Sequence, residues 1–92
     1  MPLRLVWRAD ALSDLATIIG YIAERDLIAA LKLQEMIETC TERLPDHPFL
    51  YRPGRVEGTR EAVVHPNYII IYRVGDDSIE VVNLVHSRRQ YP

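Results

Sequence analysis

Apolar residues recur at two different spacings along this chain, and the change of spacing divides it in two. In the first half Leu12, Leu15, Ile19 and Ile22 follow one another at steps of three and four, the period of one helical face. A second stripe, Ala30, Leu33, Ile37, Cys40 and Leu44, is more regular, and Lys32, Glu35, Glu38 and Glu42 fall away from it. These stripes predict helices over residues 9–25 and 27–44. Asp10 and Asp14 sit near the start of the first, where the helix dipole favours negative charge. Asp26 is placed to cap the second and Pro45 to stop it. So short a junction makes the pair an antiparallel hairpin.

In the second half the period shortens to that of strands. Residues 60–64, 68–74 and 78–85 are three extended runs, separated by His65-Pro66-Asn67 and Gly75-Asp76-Asp77, both turn sequences. The run Ile69-Ile70-Ile71 is apolar on both sides of its alternation, as in a central strand covered on two faces. A short strand at residues 3–7, with Leu3, Leu5 and Trp7 alternating with Arg4 and Val6, precedes the helices. Residues 45–58, rich in proline and glycine, read as loop. The predicted fold is α+β, in the order β-α-α-β-β-β. A helical hairpin lies on a small, mostly antiparallel sheet in one domain spanning residues 1–92.

Composition narrows the function. With 92 residues, 48% hydrophobic and 26% charged, the chain suits one modest core. A single cysteine excludes an internal disulfide, and no apolar run approaches the ~20 residues that cross a bilayer. A cytoplasmic protein without membrane contact is expected. The net charge of −2 argues against bulk binding of nucleic acid, but the balance shifts along the chain. Residues 1–46 carry 5 basic and 8 acidic side chains, whereas residues 47–92 carry 6 and 5. His47, His65 and His86 are far apart in sequence, and Cys40 sits on a core stripe, so neither a metal site nor a cofactor is expected. The chemistry-bearing residues are late: Arg52, Arg55, Arg60, His65, Tyr68, Arg73, His86, Arg88, Arg89 and Tyr91. Arginine holds phosphate oxygens, histidine moves protons near neutral pH, and tyrosine stacks on bases. Metal-free RNA cleavage uses those three functions.

Several pieces of the chain, taken in order, resemble the RelE/ParE superfamily of toxins, in particular its RelE/StbE or plasmid-stabilisation branch. They are the N-terminal strand, the helix with Ala9, Leu12, Asp14, Leu15, Ile18 and Tyr21-Ile22, then Arg52-Pro53-Gly54-Arg55-Val56 and Gly58-Thr59-Arg60-Glu61. Tyr68-Ile69-Ile70-Ile71-Tyr72-Arg73 and the closing His86-Ser87-Arg88-Arg89-Gln90-Tyr91-Pro92 complete the set. The resemblance implies a toxin of a type II toxin–antitoxin system, silenced by a tightly bound antitoxin and meeting operator DNA only through it. It leaves the target open. RelE-like members cut mRNA on the ribosome, and ParE-like members poison DNA gyrase. For the nuclease, the matching catalytic positions are Arg60, His86 or His65, Arg88 and Tyr91, but where those enzymes carry a further arginine this chain has Ile69. An apolar residue there is more typical of ParE-like toxins, which tilts the expectation to gyrase, with Arg55, Arg73, Arg88 and Arg89 as target- or partner-binding residues. An inactive binding or corepressor member is the remaining alternative.

Overall fold

The computed structural model describes residues 3–88. Its elements are β1 (Arg4–Trp7), α1 (Ala9–Ala23), α2 (Leu27–Arg43), β2 (Arg52–Pro53), β3 (Arg60–His65), β4 (Tyr68–Val74) and β5 (Ser78–His86). The strands form one mixed sheet in the order β1-β5-β4-β3-β2. β3, β4 and β5 are the expected antiparallel meander, and β1 lies parallel to β5, with Arg4 opposite Ser78 and Trp7 opposite Val81. β2 is an addition to the sequence reading. Two residues within the proline- and glycine-rich segment pair with Arg60 and Glu61, because the chain must pass β3 as it returns from α2.

The helical hairpin covers one face of the sheet. Asp26 caps α2 by accepting from the Ala29 N–H at 3.0 Å, as its position suggested. The core joins Leu33, Ile37, Cys40 and Leu44 of α2 to Ala62, Ile70, Tyr72, Ile79, Val81 and Leu84 of the sheet. On α1 the expected stripe holds at Leu15, Ile19 and Ile22 and departs at Leu12. Ala11 is buried and Leu12 exposed, with Leu15, Ile18, Ile19 and Ile22 packed against the core. The small Ala11 side chain lets α1 approach the sheet closely, and Leu12 is left on the outside.

Asp14 has a larger role than favouring the helix dipole. Its Oδ2 accepts from Asn83 Nδ2 and from the Leu84 backbone N–H, both at 3.0 Å. The pairing of β4 with β5 shifts register between Ile71 and Tyr72, and Asn83 and Leu84 lie beside that shift. Leu84 lies opposite Ile70 in the ladder and beyond Val81, the last β5 residue that β1 pairs, and the Asp14 carboxylate takes up its N–H. It fastens α1 to β5.

Ile70→Ala is expected to cost about 2–5 kcal/mol in urea unfolding, because a fully buried side chain leaves a cavity in the core. Asp14→Ala should cost about 1–3 kcal/mol by orphaning the Leu84 amide. Leu31→Ala, at an exposed position, should stay within about 0.5 kcal/mol of the parent.

Candidate functional site

The arginines and histidines of the second half gather at two ends of the sheet. At one end, His65, Tyr68 and His86 stand in a row across β3, β4 and β5, with Tyr68 paired to both histidines in the ladder. Ring centroids are 5.8 Å apart for His65 and Tyr68, and 5.2 Å for Tyr68 and His86. The two turns orient both imidazoles alike. His65 Nδ1 accepts from the Asn67 N–H at 3.0 Å, and His86 Nδ1 accepts from the Arg88 N–H at 3.1 Å. An Nδ1 that accepts puts the proton of a neutral imidazole on Nε2, so each ring offers Nε2–H to its surroundings. Ser87 ties the two turns together, its N–H donating to Asn67 O at 2.7 Å and its hydroxyl to Pro66 O at 2.9 Å. Arg88 is exposed beside this row, and Arg89 and Tyr91 lie outside the described residues.

Arg60 is at the other end. It pairs with Tyr72, four residues along β4 from the partner of His86, which is about 13 Å of strand. Its Nη1 donates to Tyr51 O at 2.6 Å, and its guanidinium lies over the Phe49 ring, 4.8 Å from the centroid. Arg60 thus binds the segment between α2 and β2 to the sheet. That segment is also held by the Tyr72 hydroxyl, which donates to Pro48 O at 2.9 Å, and by the edge-on packing of Tyr51 against Tyr72.

The face of the sheet opposite the helices carries a second buried cluster, Ile69, Ile71 and Val85. Ile69 is 3% exposed. Beyond Ile71 on this face comes a group that the sequence did not reveal. The Glu61 carboxylate, also 3% exposed, accepts from Arg52 Nε and Nη2 at 3.2 and 3.0 Å and from the Arg55 backbone N–H at 3.1 Å. The Arg55 side chain comes within 4.0 Å of the same carboxylate. A buried carboxylate needs such partners, and here they anchor the loop before β3. Gly58 completes that loop at φ +83°, a backbone conformation suited to glycine, and a Cβ there would press on Arg73 Nη1. Arg55 and Arg73 therefore belong to one end of this face. Arg73 faces Glu80 across the ladder without forming an ion pair among the described residues.

Cys40 and Tyr51 form the last polar contact, their thiol and hydroxyl sharing a hydrogen bond of 3.6 Å. Burial pushes the Cys40 thiol up, which suits a structural cysteine and not a nucleophile. Tyr51 is pushed up to about 12, first by its bond to Cys40 and then by burial. No group of three or more His, Cys, Asp or Glu side chains among the described residues is arranged to hold a metal ion. Among the described residues, no helix is long and apolar enough to cross a membrane.

Glu61→Gln should lower stability by about 1–2 kcal/mol in urea titration, since it removes the charge that Arg52 and Arg55 share. Phenol absorbance, compared with a Tyr51→Phe variant, should show Tyr51 ionising near pH 12. Its folded value is raised above the unfolded value of about 10, so its contribution to stability is complete below that pH and fades as pH rises toward the folded value.

Residues 5–91 match the family described as ParE toxin of type II toxin-antitoxin system, parDE. The Sinorhizobium fredii protein Y4kP is 37% identical over 90 residues, covering 97% of this chain and 93% of its own length. Toxin RelE2 of Caulobacter vibrioides is 33% identical over 88 residues, covering 94% of this chain and 97% of its own. Among solved structures, the chromosomal ParDE toxin–antitoxin system from P. aeruginosa superposes with a TM-score of 0.80 at 22% identity, over 91% of this chain and 95% of the other. The order of strands, the helical hairpin and the near full-length sequence match agree, and the chain belongs to the ParE toxin family of type II toxin–antitoxin systems.

Proposed function

We propose that this toxin arrests growth in the bacterial cytoplasm by binding and poisoning DNA gyrase, without cutting RNA, and that a co-produced antitoxin keeps it silent. The observation that carries the reading is Ile69, a buried apolar side chain at the position where a nuclease would hold phosphate. The wide separation of Arg60 from His86 along β4 supports it. Arg60, already engaged by Tyr51 O and Phe49, is remote from the histidine that would move a proton. Proton transfer and phosphate stabilisation have to meet within hydrogen-bond reach of one scissile bond. In this reading the helical hairpin and the exposed Arg88, with Arg89 after it, meet gyrase. Arg55 and Arg73 extend the contact at the far end of the opposite face.

One observation favours the alternative, a ribosome-dependent endoribonuclease. The row of His65, Tyr68 and His86 holds two imidazoles beside Arg88, each with Nδ1 taken by a backbone N–H and Nε2 left for other contacts. Under that reading His86 or His65 transfers the proton, Arg88 and Arg60 balance the phosphate charge, and Tyr91 stacks on a base.

A pulse of the protein alone in a growing bacterium, with DNA breaks and mRNA ends read from the same cells, separates the two. The expected result is DNA breaks with intact mRNA, and a His65→Ala, His86→Ala double variant that stays within a few-fold of the parent in toxicity. New mRNA ends at ribosomal A-site positions, lost in the double variant, would instead establish the nuclease. Arg88→Ala is expected to weaken toxicity about tenfold while leaving thermal unfolding unchanged, as loss of one charged contact at an interface does.

A further inference from the structure

Three arginines gather around one buried acid at a corner of the sheet face opposite the helices. Glu61 is 3% exposed, and Arg52, its partner across the ladder, gives both Nε and Nη2 to Oε1. Arg55 lies on the Oε2 side, its backbone N–H bonded there at 3.1 Å and its Nε 4.0 Å away. Arg73 stands two residues beyond Ile71, the β4 partner of Glu61, so it shares this face as a diagonal neighbour of the acid. Three guanidinium groups and one carboxylate leave two positive charges in excess at the corner. Glu57, in the loop before β3, is exposed and screened by water.

Arg73 is turned in an unexpected direction. Glu80 stands directly across the ladder from it on β5, yet the two form no ion pair. Arg73 Nη1 lies on the loop side instead, 3.0 Å from where a Cβ on Gly58 would stand. The guanidinium thus points away from an acid and toward the end of the face that holds two other cations. It is partly buried and has no hydrogen bond or ion pair among the described residues. A cation in partial burial without a partner is unfavourable, and so is its approach to like charges. An oxyanion relieves both. Arg73 brings five N–H donors, and Arg52 keeps Nη1 beyond the two groups bonded to Glu61. Planar forks of this kind match phosphate oxygens.

The geometry points to a phosphate of the DNA that gyrase holds as the anion received between Arg52 and Arg73. A chain with a net charge of −2 does not bind DNA in bulk, so a grip on one phosphate suits DNA already held by another protein. The inference rests on the gyrase reading above and names what the far end of this face meets in that complex. The phosphate positions the toxin on the DNA and reads no sequence.

The test is the affinity of this protein for gyrase alone and for gyrase loaded with a short DNA duplex, measured over a range of salt, for the parent, Arg73→Gln and Arg73→Lys. Arg73 has no partner to lose, so both variants should unfold at the parent temperature. The parent is expected to bind the gyrase–DNA complex at least about tenfold more tightly than gyrase alone. Arg73→Gln should remove most of that gain and flatten the slope of log affinity against log salt by about one. Arg73→Lys should keep the slope and recover only part of the gain, because the charge remains and the fork is lost. Equal affinity with and without DNA, in parent and variants alike, overturns the phosphate site while the gyrase reading stands. A loss in Arg73→Gln that is the same with and without DNA gives the arginine to a carboxylate of gyrase and also overturns it. No binding to gyrase in either form overturns both readings. Ribosomal mRNA cleavage that falls in Arg73→Gln would move the phosphate to RNA and overturn the DNA assignment.

Discussion

The structure depends on β4 being buried from both sides. Ile70 and Tyr72 face the helices, and Ile69 and Ile71 face the other way into a second apolar cluster. Over Ile69 to Tyr72 the strand is covered on both faces and has no place for an unpaired charge, which in such surroundings costs several kcal/mol. The constraint reaches the functional site directly. Apolar packing occupies the position at which a phosphate-binding arginine would have to emerge. An arginine introduced at Ile69 would have to displace the Val85 packing before it could contact anything.

The polar groups around this strand work mostly to fasten connections. Asp14 ties the first helix to the shifted register of β5, Glu61 ties the loop before β3, and Tyr72 and Arg60 tie the segment leaving α2. Each is a buried or half-buried group whose partners come from another element, and together they fix the path of a chain that has only two helices to cover its sheet. The residues free of such duties are Arg73, those at the histidine end and those on the outer side of α2, and these are the surfaces left for other molecules.

Much of this was legible in the sequence. The change from helical to strand spacing located both helices and the meander, and the triple isoleucine marked the central strand. The stripe on α1 departs from the pattern only at its first position, because Leu12 is more hydrophobic than Ala11, whereas close approach to the sheet rewards the smaller side chain. Asp14 did carry a signal, since it lies three residues after Ala11 and four before Ile18, on the buried face, where an acid needs a partner. β2 and the Glu61 anchor left none. Two paired residues have no period, and nothing local tells Glu61 from a solvated glutamate on an edge strand. The histidine row was visible as residues but not as a row, because it depends on a register set by two turns.

The parallel pairing of β1 with β5 has a consequence for how the protein comes into being. Arg4 waits for Ser78, and Asp14 waits for Leu84, so the first strand has no sheet partner, and the first helix has only α2 to pack against, until almost the whole chain has been made. Contacts this distant in sequence form late and at an entropic cost. A ribosome making this protein therefore carries an unfinished sheet until the last strand emerges.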